Sequence, residues 1–379
     1  MNDMTKGSRA VAKRTQPALN GDASTVRDVA ARAGVSASTV SRVLGGTYPV
    51  ATATRAKVLK AMRELDYVVN AHARALGGAT NNTVAFVVDD VTGPFYAHIA
   101  RGVEEQASAE GRLCMLCTTH GDPRRILAVV ETMREQRADA VIVVGGALQD
   151  KAYHDRMTHF AHALDRAGSR LVLVGRPPLG PGVPATVVDY DNEGGAFALT
   201  GHLLSGGHRR IAYLGRVPGL STSAQRIAGF TRAHELLGLA PDPELILDGV
   251  FSRSYGYQAA RELLTSGKEF TAIFAATDMI ATGVIQAVRE AGRRIPQDIA
   301  VAGYDDIPVA RDVHPTLTTV HVPQEELGRA AVRLALHRDE LPDGQHLVLG
   351  THVVLRESTR RPGPSSRGAD FVALGPVDS

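Results

Sequence analysis

Between Gly34 and Leu44 the chain reads GVSASTVSRVL, and five of these side chains carry a hydroxyl or a positive charge. On a helix, Ala37, Ser38, Ser41 and Arg42 share one face, while Val40, Val43 and Leu44 share the other. Such a face is small, donor-rich and cationic, which suits close approach to an anionic surface. The charge distribution agrees. Residues 1–78 hold 12 lysines and arginines against 5 aspartates and glutamates, a balance of +7 in a chain whose formal net charge is +2. A basic head on an acidic body reads as a polyanion-binding module joined to something else.

Other chemistry-bearing residues point away from catalysis. Cys114 and Cys117 form CMLC inside an apolar run that reads as a strand. Residues i and i+3 of a strand face opposite ways, so core packing is expected rather than a redox or metal pair, and two cysteines fit a reducing compartment. His154, His159 and His162 share one stretch without a nearby cysteine or carboxylate constellation, and no metal is assigned to them. GxGxxG, P-loop, HExxH and GxSxG patterns are missing. No catalytic residue, metal or cofactor is therefore expected. With no apolar leader and no run of bilayer length, the protein is expected in the cytoplasm, without a membrane partner.

Three short helices must hold the GVSASTVSRVL face. Thr25 is a plausible N-cap for a first helix carrying Val26, Val29, Ala30 and Ala33, and Gly34 breaks it where a left-handed residue is needed. Ser36 caps the second helix, which runs to about Leu44. A third helix fits 53–66, with Val58, Leu59, Met62 and Leu65 inward and Arg55, Lys57, Lys60 and Arg63 outward. Helix, glycine turn, helix is the helix-turn-helix pattern. Residues 1–23 are polar, small and basic and read as a disordered tail, as does the Pro/Gly/Ser-rich 361–379, which carries no leucine heptad.

TVRDVAARAGVSASTVSRVL followed by TRAKVLKAMRELDYVVNAHARAL resembles the DNA-binding head of the lactose-repressor (LacI/GalR) family, without a gap. The resemblance implies that the second helix enters the major groove of an operator duplex. Ala37, Ser38 and Arg42 would read bases, and Thr25, Ser36, Thr39 and Ser41 would contact phosphates. Arg42 offers a bidentate fork to a guanine edge, and Ala37 suits a thymine methyl. Residues 70–78 resemble the family's hinge helix, implying minor-groove contact by Asn70 and Ala73 and a wedge at Leu76. Two positions depart from the family pattern. Ala51 replaces the usual capping serine, so Thr52 is expected to cap instead, and Val69 replaces a proline.

Beyond residue 79, short apolar runs alternate with helical stretches: VAFVVDD (84–90), LCMLC (113–117), AVIVVG (140–145), LVLVG (171–175), TVVDY (186–190), RIAYLG (210–215), AIFAA (272–276) and IAVAGYDD (299–306). This alternation predicts parallel sheets with helices on both faces, and the length predicts two sub-domains. DNEGGAFALTGHLLSGGHRRIAYLG, QRIAGF and VAGYDDIP resemble the same family's effector domain. The resemblance implies an α/β, two-lobed fold like periplasmic sugar-binding proteins, spanning 79–360. One lobe would comprise about 79–189 and 322–351, the other about 190–321 and 352–360, behind a head at 24–69.

A small effector, a carbohydrate by resemblance, would bind between the lobes. Phe95, Tyr96, Arg176, Thr222, Arg226, Phe251, Thr277, Asp278 and Asp305 would line its site. Thr277 stands where a sugar-binding asparagine often occurs, and Gly175 where many members carry an aspartate. The implied function is a homodimeric repressor on a palindromic operator, controlled by that effector.

Overall fold

The computed structural model describes residues 24–45, 49–67, 81–337 and 346–359. The expected hinge residues Asn70, Ala73 and Leu76 and both terminal tails lie outside the described residues. The chain divides into two compact units, residues 1–81 and 82–379.

The first unit is built on α1 (Val26–Ala33), α2 (Ala37–Gly45) and α3 (Thr52–Glu64). Thr25 opens α1 with a capping box: its hydroxyl accepts from the Asp28 amide while the Asp28 carboxylate accepts from the Thr25 amide. Gly34 ends α1 at φ +65°, donating to the carbonyls of Ala30 and Ala31. Val29, Ala30, Val40, Val43, Val58 and Ala61 form the core. An ion pair of 2.7 Å from Arg32 to Glu64 ties α1 to α3.

Two expectations about α3 are corrected. The helix begins at Thr52 after Ala51, which supplies no side-chain cap, so Thr52 is a helical residue and not a replacement cap. Leu59 does not face inward but is 38% exposed. The buried stripe runs through Val58 and Ala61, with Met62 and Leu65 half-buried, and Leu59 lies one residue off it.

The second unit holds two parallel sheets. β1 (Thr83–Val88), β2 (Leu113–Thr118), β3 (Ala140–Val144), β4 (Arg170–Val174), β5 (Ala185–Tyr190) and β11 (His346–Leu349) are ordered β11-β5-β4-β3-β1-β2. β6 (Ile211–Arg216), β7 (Ile246–Asp248), β8 (Ala272–Ala275) and β9 (Ala300–Ala302) are ordered β7-β6-β8-β9. β10 (Thr319–His321) and β12 (His352–Val354) pair antiparallel. The helices are α4 (Pro94–Ala109), α5 (Pro123–Glu135), α6 (Lys151–Arg166), α7 (Asn192–Ser205), α8 (Ser221–Leu236), α9 (Arg253–Thr265), α10 (Asp278–Glu290), α11 (Val309–Asp312) and α12 (Gln324–Leu336). This is the expected two-lobed α/β architecture.

Every residue of β3, β4 and β8 is buried, which explains the apolar runs that fill β3 and β8 and follow Arg170 in β4. α4 and α12 cross backbone to backbone. A Cβ at Gly102 would lie 2.0 Å from the Glu325 carbonyl, and one at Gly328 would lie 2.3 Å from that of Ile99.

In β2 the two cysteines pack on the cores as expected, but the run LCMLC as a whole is not buried. It is an edge strand, with Leu113 66% and Leu116 46% exposed. Cys114 and Cys117 do face opposite sides of the sheet, packing against different cores, and both are free thiols. IAVAGYDD is strand only from Ala300 to Ala302. The sequence pattern also passed over β7, β10, β11 and β12, which are three or four residues long. Among the described residues no helix is long and apolar enough to cross a membrane, and no group of three His, Cys, Asp or Glu is arranged to hold a metal ion.

Candidate functional site

In the head, α2 displays what its sequence offers. Ala37, Ser38, Ser41 and Arg42 are exposed, while Val40 and Val43 are buried against α1 and α3. The Ser36 hydroxyl accepts from the Thr39 amide at 3.2 Å and lies 2.8 Å from both the Ser38 and Thr39 hydroxyls. The start of α2 is thus a cluster of three hydroxyls at the positive end of a helix dipole, an arrangement suited to a phosphate. Thr25 differs: its hydroxyl donates to Asp28 at 2.7 Å within the capping box.

In the second unit, a cavity of about 480 Å³ opens where the carboxyl ends of the two sheets meet. Phe95 and Tyr96 enter it from the start of α4, Thr222 and Arg226 from the first turns of α8, and Phe251 from the loop after β7. Thr277 enters from the N-cap of α10, and Asp305 from the loop after β9. Seven of the nine expected effector contacts therefore line one cavity.

Arg226 organises its floor. Only 2% exposed, it donates to Asn192 at 3.0 Å, to Asp305 at 3.3 Å, to the Tyr190 hydroxyl at 3.4 Å and to the Ala276 carbonyl. The Tyr304 ring stacks 3.8 Å from its guanidinium carbon. Burial disfavours the cation, yet Asp305 and the surrounding tyrosines hold its pKa above the usual arginine value. Asp305 sits at φ +115°, held by its amide bond to the Val320 carbonyl and by Gln324, which donates to its own carbonyl. Burial pushes its carboxyl up to about 7, although Arg226 opposes the shift. At neutral pH this group can donate to or accept from a hydroxyl or amine.

Two of the expected contacts lie elsewhere. Asp278 is fully buried and holds the loop that carries Asp305. Its carboxylate accepts from the Ile307 amide at 2.9 Å and the Thr319 hydroxyl at 2.6 Å, and burial together with Asp305 raises its pKa well above the ordinary range. Arg176 turns into a different cavity, donating to the Tyr153 hydroxyl at 2.9 Å. The turn follows from Gly175, whose φ of +68° redirects the chain after β4.

Among the lining residues outside the expected set, Asp89 and Tyr190 carry polar groups. Each lies at or just past the carboxyl end of a strand, and that position was their only available signal. Tyr190 also explains the glycine at 175, since a Cβ there would lie 3.2 Å from the Tyr190 ring. The wall beside Gly175 is thus partly filled by a tyrosine. Phe95 packs on this ring with centroids 6.0 Å apart. Charged groups thus stand at the Arg226–Asp305 end and at Asp89, and Val217, Leu220, Met279 and Ile307 add apolar wall. The cavity can hold a small molecule with a hydroxylated end and an apolar face.

Comparison with known proteins places both units. Residues 25–70 match the family model for bacterial regulatory proteins of the lacI family, and residues 200–359 match that for the periplasmic binding protein-like domain. The HTH-type transcriptional regulator DegA of Bacillus subtilis (strain 168) is 34% identical, over 88% of this chain and 98% of its own. A structure of the transcriptional regulator CelR in complex with cellobiose is 35% identical, covering 88% of this chain and 99% of that one, with a TM-score of 0.64. The lac repressor dimer bound to operator and the anti-inducer ONPF is 26% identical, covering 89% and 99%, with a TM-score of 0.73.

Proposed function

The chain belongs to the lacI family of DNA-binding transcriptional regulators, and from that premise we propose that it is a repressor that binds a palindromic operator as a homodimer and is controlled by a sugar or sugar derivative in the cleft. The observation that carries this reading is the exposed face of α2, where Ala37, Ser38 and Arg42 stand clear of the core that fixes the helix. Small residues at the start of α2 let a backbone approach base edges, and Arg42 supplies the specific donor. Asn70, Ala73 and Leu76 complete the operator contact in the minor groove.

The dimer is supported by the lac repressor complex and by the exposed leucines Leu113 and Leu116 on the β2 edge. The sugar is supported by the CelR–cellobiose complex and by the pairing of Arg226 and Asp305 opposite Phe95 and Tyr96. Because both lobes line the cleft, an effector favours one lobe spacing, and by linkage operator and effector affinities change by the same factor. The protein works where its operator is, in the cytoplasm.

The test is operator binding by fluorescence anisotropy, with and without ligands found by thermal-shift screening of sugars and sugar phosphates. A ligand at 100 times its Kd stabilises by about 2.7 kcal/mol. An operator affinity that ignores every such ligand defeats the allosteric part of the proposal.

A further inference from the structure

Arg176 is 4% exposed, and no carboxylate among the described residues lies within ion-pair distance of it. Its guanidinium donates to two neutral acceptors, the Tyr153 hydroxyl at 2.9 Å and the Val144 carbonyl at 3.4 Å, and its Nε has no partner. Arg226, equally buried, is matched by Asp305. A buried cation without an anion is costly unless one arrives.

Arg176 lines a second cavity of about 590 Å³. This cavity shares no lining residue with the effector cleft, and a backbone clasp between the lobes separates the two. The Ser221 amide donates to the Ala147 carbonyl, the Ala147 amide to the Ser221 hydroxyl and the Gln149 amide to the Gly219 carbonyl, each at 3.0 Å. Gly146, Leu220 and Thr222 face the cleft; Ala147, Leu148 and Ser221 line the second cavity. The clasp needs Gly146, because a Cβ there would lie 2.7 Å from Leu220 and 2.8 Å from Thr222.

The other walls of the second cavity fix its chemistry. Leu148, Met157, Leu173 and Leu179 make most of it apolar. The first turn of α8 reaches it through Ser221, Ala224 and Gln225, and α8 begins at Leu220 without a side-chain cap. The two other charged residues on this wall are already engaged: Asp150 caps α6 by accepting from the Tyr153 amide at 2.9 Å, and Lys151 pairs with Asp155 at 2.7 Å. Arg176 and the positive end of the sixteen-residue α8 therefore favour negative charge. We infer that this cavity is a second ligand site, taking a small organic anion with an apolar body whose carboxylate or phosphate completes Arg176. It goes beyond the effector proposal and stands without it.

The probe is 8-anilino-1-naphthalenesulfonate, titrated by fluorescence against the full chain. One saturable site per chain is expected. Arg176→Met should weaken it about tenfold or more, as loss of a charge-assisted hydrogen bond requires. Ala224→Trp fills the cavity from an exposed position on α8, where folding is undisturbed, and should abolish binding even if Arg176→Met fails to fold. Thr277→Ala, in the other cleft, should leave the titration unchanged. Phenylacetate and phenyl phosphate then compete, and the better displacer identifies the head group. Unchanged binding in Ala224→Trp, loss of the site in Thr277→Ala, or displacement by neither competitor overturns the assignment.

Discussion

The face of α2 and the floor of the cleft both present an arginine among hydroxyl groups, but they differ in what surrounds it. Arg42 is exposed, and the hydroxyls of Ser36, Ser38 and Thr39 on the same helix bond to one another within four residues. Arg226 is sealed, and its partners lie 34, 36, 50 and 79 residues away along the chain. A polar group in water costs little to present and little to remove. A buried one is bound into the fold, so the cleft's recognition chemistry also ties the end of β5 to the loops after β8 and β9. The difference predicts that specificity and stability separate in the head and are inseparable in the cleft.

Arg226→Met tests the cleft side. It leaves Asp305 and Asn192 facing a hydrophobic chain, and breaking one partner of a buried pair costs about 3–5 kcal/mol. Urea denaturation of the full chain should show that loss together with loss of effector binding. A variant as stable as the parent would dissolve the contrast. Arg42→Ala tests the head side. It should relax discrimination at one base pair per half-site, by about 1–3 kcal/mol, while the melting temperature stays where it was. Binding to a panel of operator variants reads this directly. A uniform loss on every sequence would make Arg42 a phosphate clamp.

Protonation sharpens the contrast further. The Asp305 carboxyl is raised from 3.8 to about 7 in the folded chain. Between those values the folded state holds a proton that the unfolded state has released. The stability linked to it is complete below the unfolded value and is lost as pH rises through about 7, with a slope for one proton of at most about 1.4 kcal/mol per pH unit. Melting temperatures from pH 5 to 8 should fall more steeply for the parent than for Asp305→Asn. Equal slopes would assign the pH dependence to other groups.

What the sequence discloses follows the same division. The head was legible because its determinants are local: a cap three residues from its partner, a glycine at a left-handed turn, apolar residues one turn apart. Leu59 misled only because periodicity defines a stripe to within a residue and not which neighbour fills it. The cleft residues Arg226 and Asp305 were reachable through family resemblance, since no local pattern joins positions 79 residues apart. Arg176 and Asp278 were misassigned because a single glycine at φ +68° and one buried hydrogen-bonded loop decide where they point. An apolar run such as LCMLC specifies a strand, but edge and centre are set by which strands come to lie beside it.

Thr25→Ala is the smallest expected effect and bears on which role the hydroxyl plays. Thr25 donates to the Asp28 carboxylate at 2.7 Å and accepts from the Asp28 amide at 3.4 Å, while its own amide donates to that carboxylate at 2.8 Å. The substitution removes the two hydroxyl contacts and keeps the third, so α1 should loosen by about 1 kcal/mol, the usual cost of losing a threonine cap. Hydrogen exchange in the full chain should then rise at the amides of 28–33 and stay unchanged around Arg226. Thr25→Ser restores a hydroxyl and should restore protection. A phosphate contact predicts another pattern. Loss of a hydroxyl that also contacts a DNA phosphate would weaken operator binding by more than the loosened cap accounts for. The hydroxyl oxygen can go on accepting from the Asp28 amide while its proton passes from Asp28 to a phosphate, so exchange reads the cap and the excess loss of operator affinity reads the clamp.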